Sequence, residues 1–142
     1  MNKYYCIILS LFFLSGCKEK VETKKEAEKK DFQMYEMSPM AALMEQMYVD
    51  NGRIKERIVN GEPIGDFPDH FVNIYQSRMT DESENDAFFK EQAALFLEAE
   101  QLIFKDSANA KKHFNEAINA CIRCHETKCG GPIPRIRKLL IQ

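Results

Sequence analysis

The sequence contains no tryptophan, only six glycines and five prolines in 142 residues, and no apolar run long enough to span a membrane comfortably. Few glycines and prolines, together with ten phenylalanines and seven methionines, favour helices over sheets. The formal net charge of −2 argues against the large basic field that nucleic-acid binding requires. A chain of this length allows one modest domain. The composition therefore predicts a single all-α domain without a nucleic-acid partner.

The N-terminal segment has the features of a secretory signal. Lys3 supplies a positive charge, and a short apolar run follows at residues 4–13. Because the run is short and small residues follow it, residues 1–16 are predicted to be a signal peptide. Leu14-Ser15-Gly16-Cys17 resembles the bacterial lipobox, in which the cysteine becomes the lipidated first residue of the mature protein. Cys17 is therefore the predicted lipidation site, and an ordinary secretory signal with an incidental cysteine is the alternative.

Lipidation at Cys17 would fix where the protein works. Acyl chains at this residue would hold the chain on a membrane surface without spanning it, so the expected location is the periplasm or the outer membrane. Residues 17–36 begin with this cysteine and continue as a mixed tract of Lys and Glu with little to bury, which predicts a flexible charged linker. The charges directly after Cys17 also resemble the export signals of some bacterial surface lipoproteins.

Residues 37–142 are predicted to form the folded domain, and its first helix has clear end signals. Ser38 can cap the helix with Pro39 at the first helical position, and Asn60-Gly61 is a typical end. Side chains at steps of three and four form the predicted core stripe: Met37, Met40, Met44, Met47, Asn51, Ile54 and Ile58.

Three further helices are predicted. The second covers residues 66–79 after a turn at residues 61–65, and the third covers residues 85–104. The fourth ends at Gly130-Gly131-Pro132. Its inner face steps by four, three and four: Phe114, Ile118, Cys121 and His125. Short connections between four helices predict an antiparallel four-helix bundle, followed by a basic tail at residues 133–142.

The fourth helix contains Cys121-Ile122-Arg123-Cys124-His125, the C-x-x-C-H pattern of covalent haem attachment. The thiols of Cys121 and Cys124 would add across the two vinyl groups of a haem, and His125 would ligate the iron. Residues at i, i+3 and i+4 share one face of a helix, as a flat ring attached at one edge requires. His125 would bind iron through Nε2 while Nδ1–H donates to a carbonyl, carboxylate or water.

Two other functions of the cysteine pair are weaker. A disulfide redox pair belongs at the start of a helix in an α/β fold, and the sequence does not predict such a fold. A zinc site needs a second pair of ligands, and only His70, His113 and Cys129 are left over. A haem-free helical lipoprotein whose two cysteines form a disulfide is the least favoured hypothesis.

Residues 37–128 resemble the class II c-type cytochromes, the family of cytochrome c-prime and its low-spin relatives. The resemblance rests on residues 114–125 and on the first-helix segment 44–61, which includes Asn51-Gly52-Arg53. Members are four-helix bundles with C-x-x-C-H on the last helix and the sixth-ligand position on the first. The resemblance therefore implies a bundle with one haem c attached to its C-terminal helix. The ending Cys129-Gly130-Gly131-Pro132-Ile133-Pro134 departs from the usual short ending and indicates a divergent branch.

The resemblance also implies a sixth iron ligand. Alignment on Gly52-Arg53 and on Gly61 puts Met44 at the distal position, and Met40 lies one turn earlier on the same face. A thioether sixth ligand makes the iron low-spin, raises its potential and suits electron transfer. The alternative is that the methionines of the first helix only fill the core. The expected iron ligands are thus His125 and either Met44 or Met40.

Two functions follow from the resemblance. The first is a membrane-anchored monohaem cytochrome that carries electrons between redox partner proteins outside the cytoplasm and is not an enzyme. The second is a five-coordinate haem protein that binds a small gas such as nitric oxide, because cytochrome c-prime leaves its distal side apolar and open. Family members often dimerise through the first two helices, so a homodimer is a further assembly that the resemblance allows.

Two features of the C-terminal region have open roles. Cys129 is either a thiol that cross-links two chains or an inert buried side chain. Lys128, Arg135, Arg137 and Lys138 form a basic cluster just after the motif. These side chains either pair with haem propionates or an acidic redox partner, or they form a solvated tail.

Overall fold

The computed structural model describes residues 36–142, and every regular element in this range is helical. Three long α-helices are α1 (Pro39–Asn60), α2 (Ala87–Lys105) and α3 (Ala110–Lys128), and a single turn, α4, covers Ile133–Ile136. The prediction of an all-α domain is confirmed for this part of the chain. The predicted signal peptide, Cys17 and the linker up to residue 35 lie outside the described residues. None of the helices described is long and apolar enough to cross a bilayer.

Helix α1 begins and ends as its sequence predicts. Ser38 Oγ accepts a hydrogen bond from the Ala41 amide at 3.1 Å, and Pro39 occupies the first helical position. The helix ends at Gly61, whose φ of 67° is left-handed and whose N–H donates to the carbonyls of Arg57 and Ile58. A residue with a side chain would be strained there, which is why Asn60-Gly61 was a reliable end signal.

The second predicted helix is not an α-helix. Residues 66–79 were expected to form one, but the structure has a 3-10 helix at Asp69–Tyr75 that buries Phe71 and Ile74. Pro68 directly precedes it in an extended conformation with ψ of 103°, and a proline disfavours helical geometry in the residue before it. A segment of seven residues is also too short for a stable α-helix on its own. The spacing predicts an inner face, and the structure bears it out in part: Phe71 and Ile74 are buried and Phe67 is partly buried, but Tyr75 and Arg78 are exposed.

Helices α2 and α3 form an antiparallel hairpin. Asp86 caps α2 by accepting a hydrogen bond from the Phe89 amide at 2.9 Å. The connection to α3 is short and contains the 3-10 helix Ser107–Asn109. Lys128, the last residue of α3, forms a salt bridge with Asp86, so the end of α3 lies beside the start of α2. The predicted third and fourth helices are thus present with ends shifted by one or two residues.

The C-terminal segment is docked on the bundle rather than solvated. Helix α4 and the 3-10 helix Arg137–Leu139 bury Ile136 and Leu139 in a cluster with side chains of α1 and α3. Asn115 of α3 donates to the Ile141 carbonyl and accepts from the Ile141 amide, both at 2.9 Å. Lys55 of α1 donates to the Lys138 carbonyl at 2.7 Å. The backbone of this segment is therefore packed against the helices, while the basic side chains Arg137 and Lys138 are exposed.

Candidate functional site

The predicted attachment motif lines a cleft between α3 and α1. Three adjoining cavities each have both Met44 of α1 and His125 of α3 in their walls. The widest has a volume of about 400 Å³ and is also lined by Met40, Cys124 and Cys129. A volume of this size lies within the range of pockets that hold small molecules and cofactors.

His125 is oriented by the end of its own helix. Its Nδ1 lies 2.9 Å from the backbone carbonyl of Cys129, while the Cys129 amide donates to the His125 carbonyl at 3.1 Å. A carbonyl can only accept, so Nδ1 carries the proton and Nε2 keeps its lone pair. This is the arrangement expected of a metal-binding histidine, and the carbonyl was one of the three partners predicted for it.

Cys121 and Cys124 are partly buried beside the cleft, and neither forms a disulfide. Burial raises the pKa of the Cys121 thiol strongly, and the negative charge of Glu100 raises it further. Burial also raises the pKa of Cys124. Both side chains are therefore protonated thiols at neutral pH, since only a lowered pKa would give thiolates.

Within residues 36–142, His70, His113 and Cys129 do not form a metal-ligand group with Cys121 and Cys124. His113 lies 3.0 Å from Asp106, and His70 lies 3.0 Å from Asp50. Cys129 is exposed, so the alternative of a buried, inert side chain is wrong. Between residues 36 and 142, no group of three or more His, Cys, Asp and Glu side chains is arranged to hold a metal ion. The zinc alternative therefore lacks a ligand set in this range.

The predicted methionine stripe divides into side chains with different surroundings. Met40 and Met47 are buried in the core, with 8% and 5% of their surface exposed, and Met37 is exposed. Met44 is only partly buried and contributes to all three cavities that also contain His125. Met40 contributes to the widest cavity alone. Of the two candidate sixth ligands, Met44 thus has the more central position opposite His125.

The walls of the cleft suit a flat apolar ring. Ile74, Phe89 and Phe96 form the apolar wall of the small cavity, about 40 Å³, that Met44 and His125 also line. Such a wall excludes water from a bound macrocycle and removes apolar surface from solvent. The residues present therefore fit a haem attached at Cys121 and Cys124.

Two cations at the rim are already paired with carboxylates. Arg135 donates two hydrogen bonds to Glu45, at 2.9 and 2.7 Å, and its guanidinium lies 4.0 Å from the centre of the Tyr48 ring. Lys128 bridges Asp86 and Glu84, the latter at 2.9 Å. The three carboxylates outnumber the two cations at this rim, and the predicted pairing of these cations with haem propionates stays a prediction.

A buried polar pair behind the cleft was not predicted as a site. Glu100 of α2 is completely buried, and neither carboxylate oxygen has a hydrogen-bond partner among the described residues. Burial raises the pKa of Glu100 to about 8, although the neighbouring polar side chain of Asn51 lowers this pKa in part. Glu100 is four residues after Phe96 and three before Ile103, so its place in the apolar stripe of α2 was the signal that sequence reasoning missed.

Comparison with protein-family models, curated proteins and solved structures finds no match to this chain.

Proposed function

We propose that this protein is a monohaem c-type cytochrome, anchored to a membrane through Cys17, that carries electrons outside the cytoplasm. The observation that supports this best is that Met44 and His125 line the same cleft, with Cys121 and Cys124 in its wall. An electron carrier needs a cofactor held rigidly and shielded from water, and the polypeptide sets its potential through the ligands, burial and nearby charge.

Each residue of the cleft has a separate role in this proposal. Cys121 and Cys124 hold the haem by thioether bonds, and His125 Nε2 ligates iron while the Cys129 carbonyl fixes the ring. Met44 supplies the sixth ligand, with Met40 as the alternative one turn away. When bound, the haem supplies the one-electron chemistry. Phe89 and Phe96 exclude water from it.

The fold supports a variant of the class II cytochrome bundle. In this proposal α1, α2 and α3 would stand for the first, third and fourth helices of that family, and the 3-10 helix Asp69–Tyr75 would stand for the second. The docked C-terminal segment adds Pro132, Arg135 and Ile136 to the wall of the cleft.

A second candidate function is a five-coordinate haem that binds a small gas such as nitric oxide. The apolar wall formed by Ile74, Phe89 and Phe96 favours it, because an apolar distal side lets a neutral diatomic gas enter. The two functions differ in one bond, the one between Met44 or Met40 and iron.

Absorption spectroscopy of the purified protein tests both functions. Haem stain retained on a denaturing gel is expected, because covalent attachment survives unfolding. A weak band at the far-red end of the visible range, lost in Met44→Ala and kept in Met40→Ala, is expected for the electron carrier. A high-spin spectrum that changes on adding nitric oxide would instead support the gas-binding function, and absence of haem stain would contradict both.

A further inference from the structure

Glu100 and Asn51 form a buried polar pair between α2 and α1, and their side-chain oxygens have no hydrogen-bond partner in the part of the chain that the structure describes. Glu100 is 0% exposed and Asn51 is 3% exposed. Asn51 Nδ2 donates to the Met47 carbonyl at 3.0 Å, but its Oδ1 accepts nothing among the described residues. An ionised carboxylate here would be an uncompensated buried charge, which is costly. A protonated carboxyl can donate its O–H to Asn51 Oδ1, which gives a partner to that oxygen and to one of the two Glu100 oxygens.

The side chains that face Glu100 do not neutralise its charge, so the protonation of Glu100 can change with the charge of a nearby haem. Asn51 faces it from α1 and Cys121 from α3, and the charge of Glu100 acts on the Cys121 thiol. Cys121 is the predicted attachment point, so a charge on Glu100 also acts on a haem attached there. Electrostatic interactions of this kind are strong in a low-dielectric interior.

No other charged side chain compensates Glu100 from the elements around it. On the 3-10 helix, Phe71 and Ile74 face the interior, Asp69 is exposed and His70 lies beside Asp50 of α1. On α3, Arg123 is a cation whose Nε donates to Gln92 rather than to Glu100.

We propose that Glu100 is a proton-binding site coupled to electron transfer: it takes up one proton when the haem at Cys121 is reduced and releases it when the haem is oxidised. The inference depends on the proposed cytochrome function. In the reduction step a one-electron donor protein supplies the electron, iron changes from the ferric to the ferrous state, and solvent supplies the proton that converts the Glu100 carboxylate to a carboxyl. The net charge of the site is then the same before and after.

The surroundings of Glu100 put this exchange near neutral pH. Burial raises the pKa of Glu100 to about 8 in the haem-free chain. The additional positive charge of ferric haem lowers that pKa, and reduction raises it again. At pH values between the pKa of Glu100 in the ferric protein and its pKa in the ferrous protein, each tenfold fall in proton concentration makes reduction up to tenfold less favourable. This factor corresponds to 59 mV for one electron.

The experiment is a redox titration of the haem-loaded full chain across pH 5 to 9, comparing wild type, Glu100→Gln and Glu98→Gln. Equilibrium potentials are measured because a fully buried carboxyl exchanges its proton only when the packing opens transiently. The potential of the wild type is expected to fall with rising pH. Glu100→Gln should remove the fall. Glu98 is exposed on the same helix, so Glu98→Gln should keep it.

A second measurement needs no variant. The reduced-minus-oxidised infrared spectrum of the wild type should contain a protonated carboxyl band that shifts in heavy water. A haem protein that lacks this band, or whose pH dependence survives in Glu100→Gln, would overturn the inference and assign the coupling to the haem propionates. A chain without covalent haem would contradict the proposed function itself, so the two failures are distinguishable.

Discussion

The two hydrophobic cores that meet at α3 are built from different side chains. The core on the cleft side contains methionines and alanines, among them Met40, Met47, Ala93, Ala117 and Ala120. The other core, under the C-terminal segment, is dominated by isoleucines: Ile54, Ile103, Ile118, Ile122 and Ile136. Cys121 packs against both.

The difference between the cores explains where the cleft lies. Alanine fills little volume, and methionine is unbranched and adapts to irregular gaps, so the methionine–alanine core can leave room for a ring. Isoleucine is stiff at χ1 and fills its space with one rotamer, which favours close packing, although Ile103 and Ala110 of this core border a cavity of about 660 Å³. The methionine–alanine side is thus the one whose side chains adapt more easily.

The largest effect is expected from removing the attachment chemistry on the adaptable side. The double variant Cys121→Ser/Cys124→Ser should lose all covalent haem, because no thiol is left to form a thioether bond. Haem stain on a denaturing gel measures this. Cys129→Ser is the matched control and should keep full staining, since Cys129 lies outside the motif. Stained protein from the double variant would contradict the attachment site.

The free energy of unfolding should depend on pH through Glu100, which lies between Phe96 and Ile103 on α2, where the two cores meet. Its pKa is raised from 4.5 to about 8 in the folded chain, so the folded state binds the proton more tightly. The stabilisation is therefore fully present below pH 4.5 and is lost as pH rises through 8. The free energy of unfolding should fall by about 5 kcal/mol at most over this window.

Urea denaturation at several pH values measures this loss. Glu100→Gln should flatten the curve and make the protein more stable than wild type at pH 8, while Glu98→Gln should follow the wild type. A wild-type stability that does not fall between pH 5 and 8 would show that Glu100 titrates as an ordinary carboxyl.

A matched pair of phenylalanines compares the two cores directly. Phe114 is 0% exposed in the isoleucine core, and Phe89 is 5% exposed beside the cleft. Phe114→Ala should lower the free energy of unfolding by about 3–5 kcal/mol, because a closely packed site collapses little around the cavity. Phe89→Ala should cost roughly half as much and should also shift the haem absorption bands. Equal costs without a spectral shift would contradict the distinction between the cores.

The smallest effect is expected at the edge where the C-terminal segment meets α1. Arg135→Lys keeps the charge but loses the two-point contact with Glu45 and the stacking on Tyr48, and should cost about 0.5–1 kcal/mol. Limited proteolysis of the C-terminal segment should become faster. Arg137→Lys is the control, because Arg137 and its partner Glu126 are both largely exposed. Faster cleavage in both variants would point to a general loosening instead.

Sequence reasoning succeeded where local chemistry decides the structure. Ser38, Pro39 and Gly61 fixed the ends of α1, and the spacing of Cys121 and His125 fixed their common face. It failed where tertiary contacts decide. A spacing of four and three residues could not separate an α-helix from the 3-10 helix Asp69–Tyr75.

The C-terminal segment and the buried polar pair were also beyond pattern reasoning. Ile136 and Leu139 are buried only because the chain turns back at Gly130-Gly131 and is tied down by Asn115. Glu100 has an ordinary local sequence, and only the packing of α1 and α3 against it removes its carboxylate from water.

The burial of Cys121 has a consequence for how the protein is made. Thioether formation needs a reactive sulfur, and burial together with the charge of Glu100 keeps this sulfur a poor nucleophile once the helices have packed. The docked C-terminal segment also closes one wall of the cleft with Pro132 and Ile136. In the proposed cytochrome, haem attachment would therefore precede folding: the chain would receive its haem while still open, and packing would then enclose it.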